Sequence, residues 1–274
     1  MSAPAPAELS RCSLNQITVD QWSLEEALEA CAVAGVGWIG PWRHKLGARG
    51  AAECGRIVRE AGVRVSSLCR GGFFPVPDAE RRATDDNNRR AIEEAAELGA
   101  DVLVLVCGPT PDRDLAAARR MVAEGIERVL PDAIEHGVRL GIEPLHPMLI
   151  AERSVVVTLA EANDLAERFD AAWVGVVVDV YHVFWDSDVE RQIARAAGRI
   201  LGFHVSDWVT PTGEVLSARA MIGDGIIDLR RLRLLVEQAG YTGPVEIEVI
   251  SASLRNRPGD EVFRLAVERY LGHV

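Results

Sequence analysis

His136-Gly137-Val138-Arg139-Leu140-Gly141-Ile142-Glu143 is the stretch that decides the fold. Before it, Leu115–His136 has the apolar spacing of an amphipathic helix. Gly137 stands just past that helix, where glycine takes the left-handed conformation that ends one. After it, Val138–Ile142 reads as a buried strand, and the strand ends on an acid. The same joint recurs at Ala34-Gly35-Val36, Ala61-Gly62-Val63, Leu98-Gly99-Ala100 and Ala239-Gly240-Tyr241.

Working outward from these joints, the pattern predicts strands over Arg11–Ile17, Val36–Gly40, Val63–Leu68, Asp101–Val106, Val138–Ile142, Val174–Val178, Ile200–Val205 and Val245–Ile250. Helical patterns lie between them at Leu24–Ala34, Ala51–Ala61, Asn87–Leu98, Leu115–His136, Leu159–Phe169, Val189–Ala197 and Leu229–Ala239, and a last one at Glu261–Leu271 closes the chain. Strand and helix in alternation imply a parallel sheet, and eight parallel strands close into a single (β/α)8 TIM barrel. The rival is an open doubly wound sheet, but no Gly-x-Gly-x-x-Gly follows the first strand. A chain of 274 residues is the usual size of one such barrel, so residues 11–274 are read as one domain. Residues 1–10, rich in Ala and Pro, are read as a loose tail, since they lack the basic and apolar regions of a signal peptide.

The charge balance narrows the partners. The net charge of −11 repels a phosphate backbone, so nucleic acid is not the expected partner. No apolar run approaches the ~18 residues of a membrane span. The five cysteines (Cys12, Cys31, Cys54, Cys69, Cys107) form no Cys-x-x-Cys pair and are expected reduced and structural, which fits the cytoplasm. Lys45 is the only lysine, which argues against Schiff-base chemistry.

In a barrel of this kind the chemistry sits where strands end at the C-terminal face. Glu143 ends the fifth predicted strand, Asp179 the sixth and His204 the seventh, while Glu248 lies in the eighth. Each alone suits an ordinary cap or ion pair. Together they bring three carboxylates and an imidazole to one quadrant of the mouth, where clustered acids repel unless a cation joins them. One divalent ion is therefore expected, and Mn2+, Mg2+, Co2+, Fe2+ and Zn2+ all suit the donors. Glu246 faces the same side as Glu248, because residues two apart on a strand do. It stands nearer the strand start, so Glu248 is preferred.

Further candidates surround this set. His146, His182 and Asp207 each stand three residues beyond a proposed ligand. Each would bind a substrate hydroxyl, hold a ligand in place or anchor a loop. Arg219 lies within Ser206–Ile227, the longest irregular stretch, and suits an anionic or polyhydroxyl group. Trp42, Trp185 and Trp208 would stack on a sugar or pack an interface.

From about Asn15 to the last helix the chain resembles the sugar phosphate isomerase/epimerase family, the xylose-isomerase-like barrels. The resemblance rests on Gly-Ile-Glu143-Pro-Leu-His146-Pro, Val-Asp179-Val-Tyr-His182, Phe-His204-Val-Ser-Asp207, Gly223-Asp224-Gly225-Ile-Ile-Asp228 and Gly240-Tyr-Thr-Gly243-Pro-Val-Glu-Ile-Glu248. It implies that Glu143, Asp179, His204 and Glu248 hold one divalent metal, that the two glutamates exchange protons with the substrate, and that His182 binds it. Mn2+ is the expected ion. Two positions depart from the epimerase pattern, which has Arg where Thr210 stands and Glu where Leu149 stands.

The expected activity is isomerisation or epimerisation of a keto-sugar or keto-cyclitol through an enediolate. Glu143 and Glu248 would act as catalytic residues, and His182, Asp207 and Arg219 would bind substrate. The alternative is a lyase of the inosose dehydratase or 3-keto-C-glycoside-cleaving type, with His146 as acid or base. A metal-dependent endonuclease and a non-catalytic sugar-binding barrel stand further back. The reading takes a small carbohydrate or cyclitol as partner and admits a homo-oligomer.

Overall fold

The computed structural model describes residues 9–210 and 213–274. Its strands are β1 (Cys12–Asn15), β2 (Trp38–Gly40), β3 (Arg64–Val65), β4 (Leu68–Gly72), β5 (Val102–Val106), β6 (Arg139–Glu143), β7 (Val174–Asp179), β8 (Ile200–Val205), β9 (Asp207–Trp208), β10 (Arg219–Ala220) and β11 (Val245–Ile247). All but β9 and β10 form one parallel nine-stranded sheet in the order β3-β2-β1-β11-β8-β7-β6-β5-β4. Its two end strands, β3 and β4, are halves of one chain stretch, so the sheet curls into a nearly closed barrel. A parallel bridge between Trp42 and Cys69 and the Cys69 N–H to Pro41 carbonyl bond (3.2 Å) tie the seam.

That seam corrects the expectation of eight unbroken strands. The third strand divides at Ser66 and Ser67, whose hydroxyls turn to the Glu246 carboxylate. The eighth is shorter than expected and ends at Ile247, although the Glu248 N–H still reaches the Val205 carbonyl (3.0 Å). The long stretch after β8 also holds the antiparallel pair of β9 and β10.

Around the barrel run α1 (Leu24–Ala34), α2 (Gly50–Glu60), α3 (Asp78–Leu98), α4 (Leu115–His136), α5 (Leu159–Ala166), α6 (Val180–Val183), α7 (Val189–Arg195), α8 (Leu229–Gln238), α9 (Ala252–Arg255) and α10 (Gly259–His273). α1 illustrates why they form. Ser23 Oγ accepts the Glu26 N–H and Glu26 Oε2 accepts the Ser23 N–H, a reciprocal cap. Leu24, Ala27, Leu28 and Cys31 then fall on one buried stripe. α3 begins nine residues ahead of the expected Asn87, at Asp78 behind Pro77, because its first turns hold few apolar side chains and bury a polar one, Asp85, against Arg128. The glycines of the five quoted joints all have φ between 71° and 92°.

β7 is buried along its whole length, as a parallel strand covered on both faces must be. All five cysteines are buried and free. No helix among the described residues is long and apolar enough to cross a membrane. Residues 1–8 of the expected tail lie outside the described residues. Its last two residues are corrected: Leu9 is buried, and the Ser10 carbonyl accepts the Trp38 indole N–H (3.0 Å), so both pack on the barrel.

Candidate metal centre and active site

Parallel register carries the ends of β6, β7 and β8 to one level: Asp179 pairs with His204, and the residue pairs of β6 and β7 run alongside. Glu143, Asp179, His204 and Glu248 are all buried, and one donor atom from each lies within 4.8 Å of all the others. His204 Nδ1 is 3.2 Å from Glu143 Oε1 and 3.5 Å from Glu248 Oε2. Neither His204 Nδ1 nor Glu143 Oε1 has a hydrogen-bond partner. Asp179 divides its work: Oδ1 accepts the Tyr181 N–H at the start of α6 (2.9 Å), and Oδ2 faces the cluster.

Arg219 enters the same cluster from β10. Its Nη1 donates to Asp179 Oδ2 (2.7 Å), Glu248 Oε2 (3.1 Å) and the Glu248 carbonyl (3.1 Å). Its Nη2 lies 3.1 Å from His182 Nε2. His182 Nδ1 accepts the His146 N–H (3.1 Å), so the neutral ring carries its proton on Nε2. His182 Nε2 and Arg219 Nη2 are then two donors converging at one edge of the cavity.

The charges follow. Burial pushes Glu143 up to about 7, and Glu248 and Asp179 add to this against the pull of His204. Burial also works to raise Glu248, but Arg219 and His204 beside it hold its carboxyl down at about 2. Burial opposes a charged His204, yet Glu246, Glu143 and Glu248 hold its proton well above the ordinary histidine range. Burial drives His182 down to about 3 against the attraction of Asp179.

The residues fit a divalent cation. Two of the three buried carboxylates share one arginine, and an imidazole nitrogen and an oxygen of the third carboxylate are left without a hydrogen bond in their midst. Oxygen donors with one imidazole are the ligand set of the ions expected above.

Glu246, two residues before Glu248, stands outside this set. Asn15 Nδ2 (2.6 Å) and Ser66 Oγ (2.6 Å) each donate to one of its oxygens. Gly40 leaves room for it: a Cβ there would lie 2.2 Å from Glu246 Oε1. Asn15 also donates to Glu248 Oε1 (3.1 Å) and accepts the Trp42 indole N–H (2.8 Å).

A cavity of about 230 Å³ opens above the cluster, lined by Trp42, Cys69, Glu143, His182, Arg219 and Glu248, among others. That is below the ~300–1,000 Å³ of common ligand pockets and suits a single small ring or chain. A larger cavity of about 490 Å³ lies at the opposite end, lined by strand starts such as Val102, Arg139 and Ile200. None of the four clustered residues reaches it, so the donors and not the size locate the chemistry.

Two expected residues go elsewhere. Asp207 is not presented to substrate: its oxygens accept the N–H groups of Trp208, Gly223, Gly225 and Ile227 at 2.8–3.0 Å, which folds the loop after β8 back on itself. A Cβ at Gly225 would lie 2.4 Å from Asp207 Oδ1, so this wrapping needs glycine. The His146 ring does not line the cavity. It stacks on Trp208 (centroids 4.8 Å apart) and meets the edge of Trp185, and burial lowers its pKa. Asn15, Ser66, Arg70 and Arg153 were not singled out from the sequence. Asn15 ends the first strand as Glu143 ends the fifth, so the same rule reaches it; the others carried no such mark.

Residues 27–270 match the sequence profile of the family described as xylose isomerase-like TIM barrel. L-ribulose-5-phosphate 3-epimerase UlaE of Escherichia coli O1:K1 / APEC is 27% identical over 212 residues, covering 75% of this chain and 71% of the relative. The crystal structure of protein SMc04130 from Sinorhizobium meliloti 1021 is 48% identical, with TM-score 0.93 over 97% of this chain and 98% of that one. A crystal structure of IolI with a bound zinc atom shares the fold at 18% identity, with TM-score 0.84 over 96% of this chain and 98% of that one.

Proposed function

Because the chain belongs to the xylose isomerase-like TIM-barrel family, we propose that it is a divalent-metal-dependent isomerase or epimerase of a keto-sugar or keto-cyclitol. The observation that carries this reading is the buried meeting of Glu143, Asp179, His204 and Glu248, with two of their donor atoms unpartnered. These four residues would hold the ion. When bound, it supplies Lewis acidity at a ketone oxygen and polarises the neighbouring C–H.

The proton chemistry belongs to Glu143 and Glu248. In the metal-free protein their surroundings drive the two carboxylates apart, Glu143 up by burial and Glu248 down by Arg219 and His204. Two carboxylates whose values are driven apart by their surroundings suit one proton off and one proton on through an enediolate. His182 Nε2 and Arg219 Nη2 would orient a substrate oxygen between them. His146 would act through its main chain, whose N–H fixes the His182 ring. Its own ring packs among tryptophans outside the cavity wall, so the isomerase reading stands ahead of the lyase, which needs that ring at a leaving group. The Escherichia coli relative named as a ketose-phosphate epimerase supports the same class of reaction.

We further take Mn2+ as the ion, the cytoplasm as the site of action and a small carbohydrate or cyclitol as the partner. The surplus of acidic charge favours such a partner over nucleic acid. The test is metal analysis of the purified protein, followed by solvent-deuterium exchange into a panel of keto-sugars and inososes. Exchange with no loss of a hydroxyl or aglycone is expected. Product that lacks one returns the lyase, and protein that neither retains nor responds to a divalent ion removes the reading.

A further inference from the structure

The cavity over the metal centre has an acidic floor and a basic wall. Four arginines line it: Arg70, Arg153, Arg219 and Arg255. Arg219 is held by Asp179 and Glu248, and Arg255 pairs with Asp20 at 3.0 Å. Among the described residues, Arg70 and Arg153 have no carboxylate within ion-pair distance and no acceptor for a side-chain N–H. Carboxylates are not scarce, since the chain carries eleven more acidic than basic side chains. Two unneutralised guanidinium groups therefore face one small cavity in an acidic protein.

The Arg153 backbone and the Arg70 side chain are held in position. The Arg153 main chain is fixed on each side: its N–H donates to the Leu149 carbonyl (2.8 Å) and its carbonyl accepts the Gly108 N–H (2.9 Å). Arg70 follows Cys69 in β4, and the Phe73 ring covers one face of its guanidinium, 4.0 Å from centroid to Cζ. A ring face leaves the N–H fork unspent, and that fork matches an oxyanion in geometry and charge. Burial first, and the positive charges of Arg153 and Arg43 after it, draw the Arg70 guanidinium below its ordinary range, so an anion beside it would relieve both.

We propose that Arg70 and Arg153 form an oxyanion subsite that receives a carboxylate or phosphate carried by the substrate, at the wall of the cavity whose floor is the metal centre. This rests on the reading of that cavity as a substrate site. It makes the substrate an acidic sugar or cyclitol derivative, with its reacting carbons toward Glu143 and Glu248 and its charged end toward Arg70 and Arg153. A neutral sugar would leave the two guanidinium groups without a counter-charge.

The test is equilibrium dialysis of the purified protein against radiolabelled inorganic phosphate and, separately, radiolabelled acetate, at constant ionic strength. One saturable site is expected for at least one ion. Its affinity should fall tenfold or more in R70Q/R153Q and be largely kept in R70K/R153K. The ion held more tightly identifies the group, phosphate or carboxylate. Both ions also bind metals, so only the affinity that the Gln variant loses is assigned to the arginines. If circular dichroism finds the double variant unfolded, R153Q alone carries the test under the same tenfold criterion. No saturable site for either ion, or a loss below tenfold, overturns the proposal. Metal content is read in parallel. Loss of the ion site with metal retained overturns only this inference, and metal absent with the ion site intact overturns only the function proposed above.

Discussion

Glu246 and Glu248 lie two residues apart, point to the same side of the barrel and are both buried, yet they live in opposite conditions. Glu246 is closed: Asn15 and Ser66 each donate to one of its oxygens, and Ser67 stands near both. Glu248 is open: it shares Arg219 with Asp179 and lies beside a His204 nitrogen without a partner. A buried carboxylate with a donor fixed on each oxygen is a structural part, even with His204 Nε2 3.8 Å away. One set among other carboxylates and unspent donor atoms is a site for a ligand. One layer of barrel depth separates the two roles.

The sharpest way to break this comparison is to change the same atom in both. E248Q keeps size and removes the proposed ligand charge and the proposed base. Its exchange of deuterium into substrate should fall by about 10²–10⁴-fold, with circular dichroism and melting near wild type. E246Q should keep most of the exchange. If E248Q stays active at saturating metal, or E246Q loses as much as E248Q, the division into layers is wrong.

The converse effect falls on stability. E246A leaves Asn15 Nδ2 and Ser66 Oγ without their acceptor in a buried place, which should cost about 1–3 kcal/mol in chemical denaturation. The metal-depleted E248A protein should lose less, because Arg219 keeps Asp179 and the Glu248 carbonyl. Equal losses would erase the distinction.

A third difference is in pH. Glu143 has a folded value raised from 4.5 to about 7, so between those limits the folded state of metal-depleted protein binds more protons than the unfolded one. Its contribution to stability is present below pH 4.5 and is lost as pH rises through about 7. The slope attributable to Glu143 is at most about 1.4 kcal/mol per pH unit. Denaturation at several pH values should find that slope in wild type and in E246Q but not in E143Q. A slope that survives E143Q would assign the proton elsewhere.

The smallest effect is expected at His146, whose ring lies outside the cavity. H146Q keeps the main-chain N–H that fixes His182, so deuterium exchange should change less than about tenfold and chiefly through KM. Product formation that stops while exchange continues would return His146 to the chemistry and the enzyme to the lyases.

The sequence by itself was enough for the barrel. Apolar strands that end on an acid or histidine, and helices that end on glycine, are local signals, and their alternation leaves few ways to fold. The same signals marked Glu143, Asp179, His204 and Glu248, because each ends or nearly ends such a strand. What needed the tertiary structure is the choice of partner for each polar atom. Asp207 looks like a substrate ligand by spacing, but four main-chain N–H groups from residues 208–227 reach it only once the loop has folded. The third strand reads as continuous until Glu246, 180 residues away in sequence, draws Ser66 out of it. Arg70 and Arg153 look like ordinary charged residues until closure of the barrel sets them on one wall. The physical reason is common to all three. Backbone conformation follows from neighbours within a few residues, whereas a buried charge is satisfied by whatever atom the closed barrel brings within about 3 Å, and no local pattern encodes which atom that is.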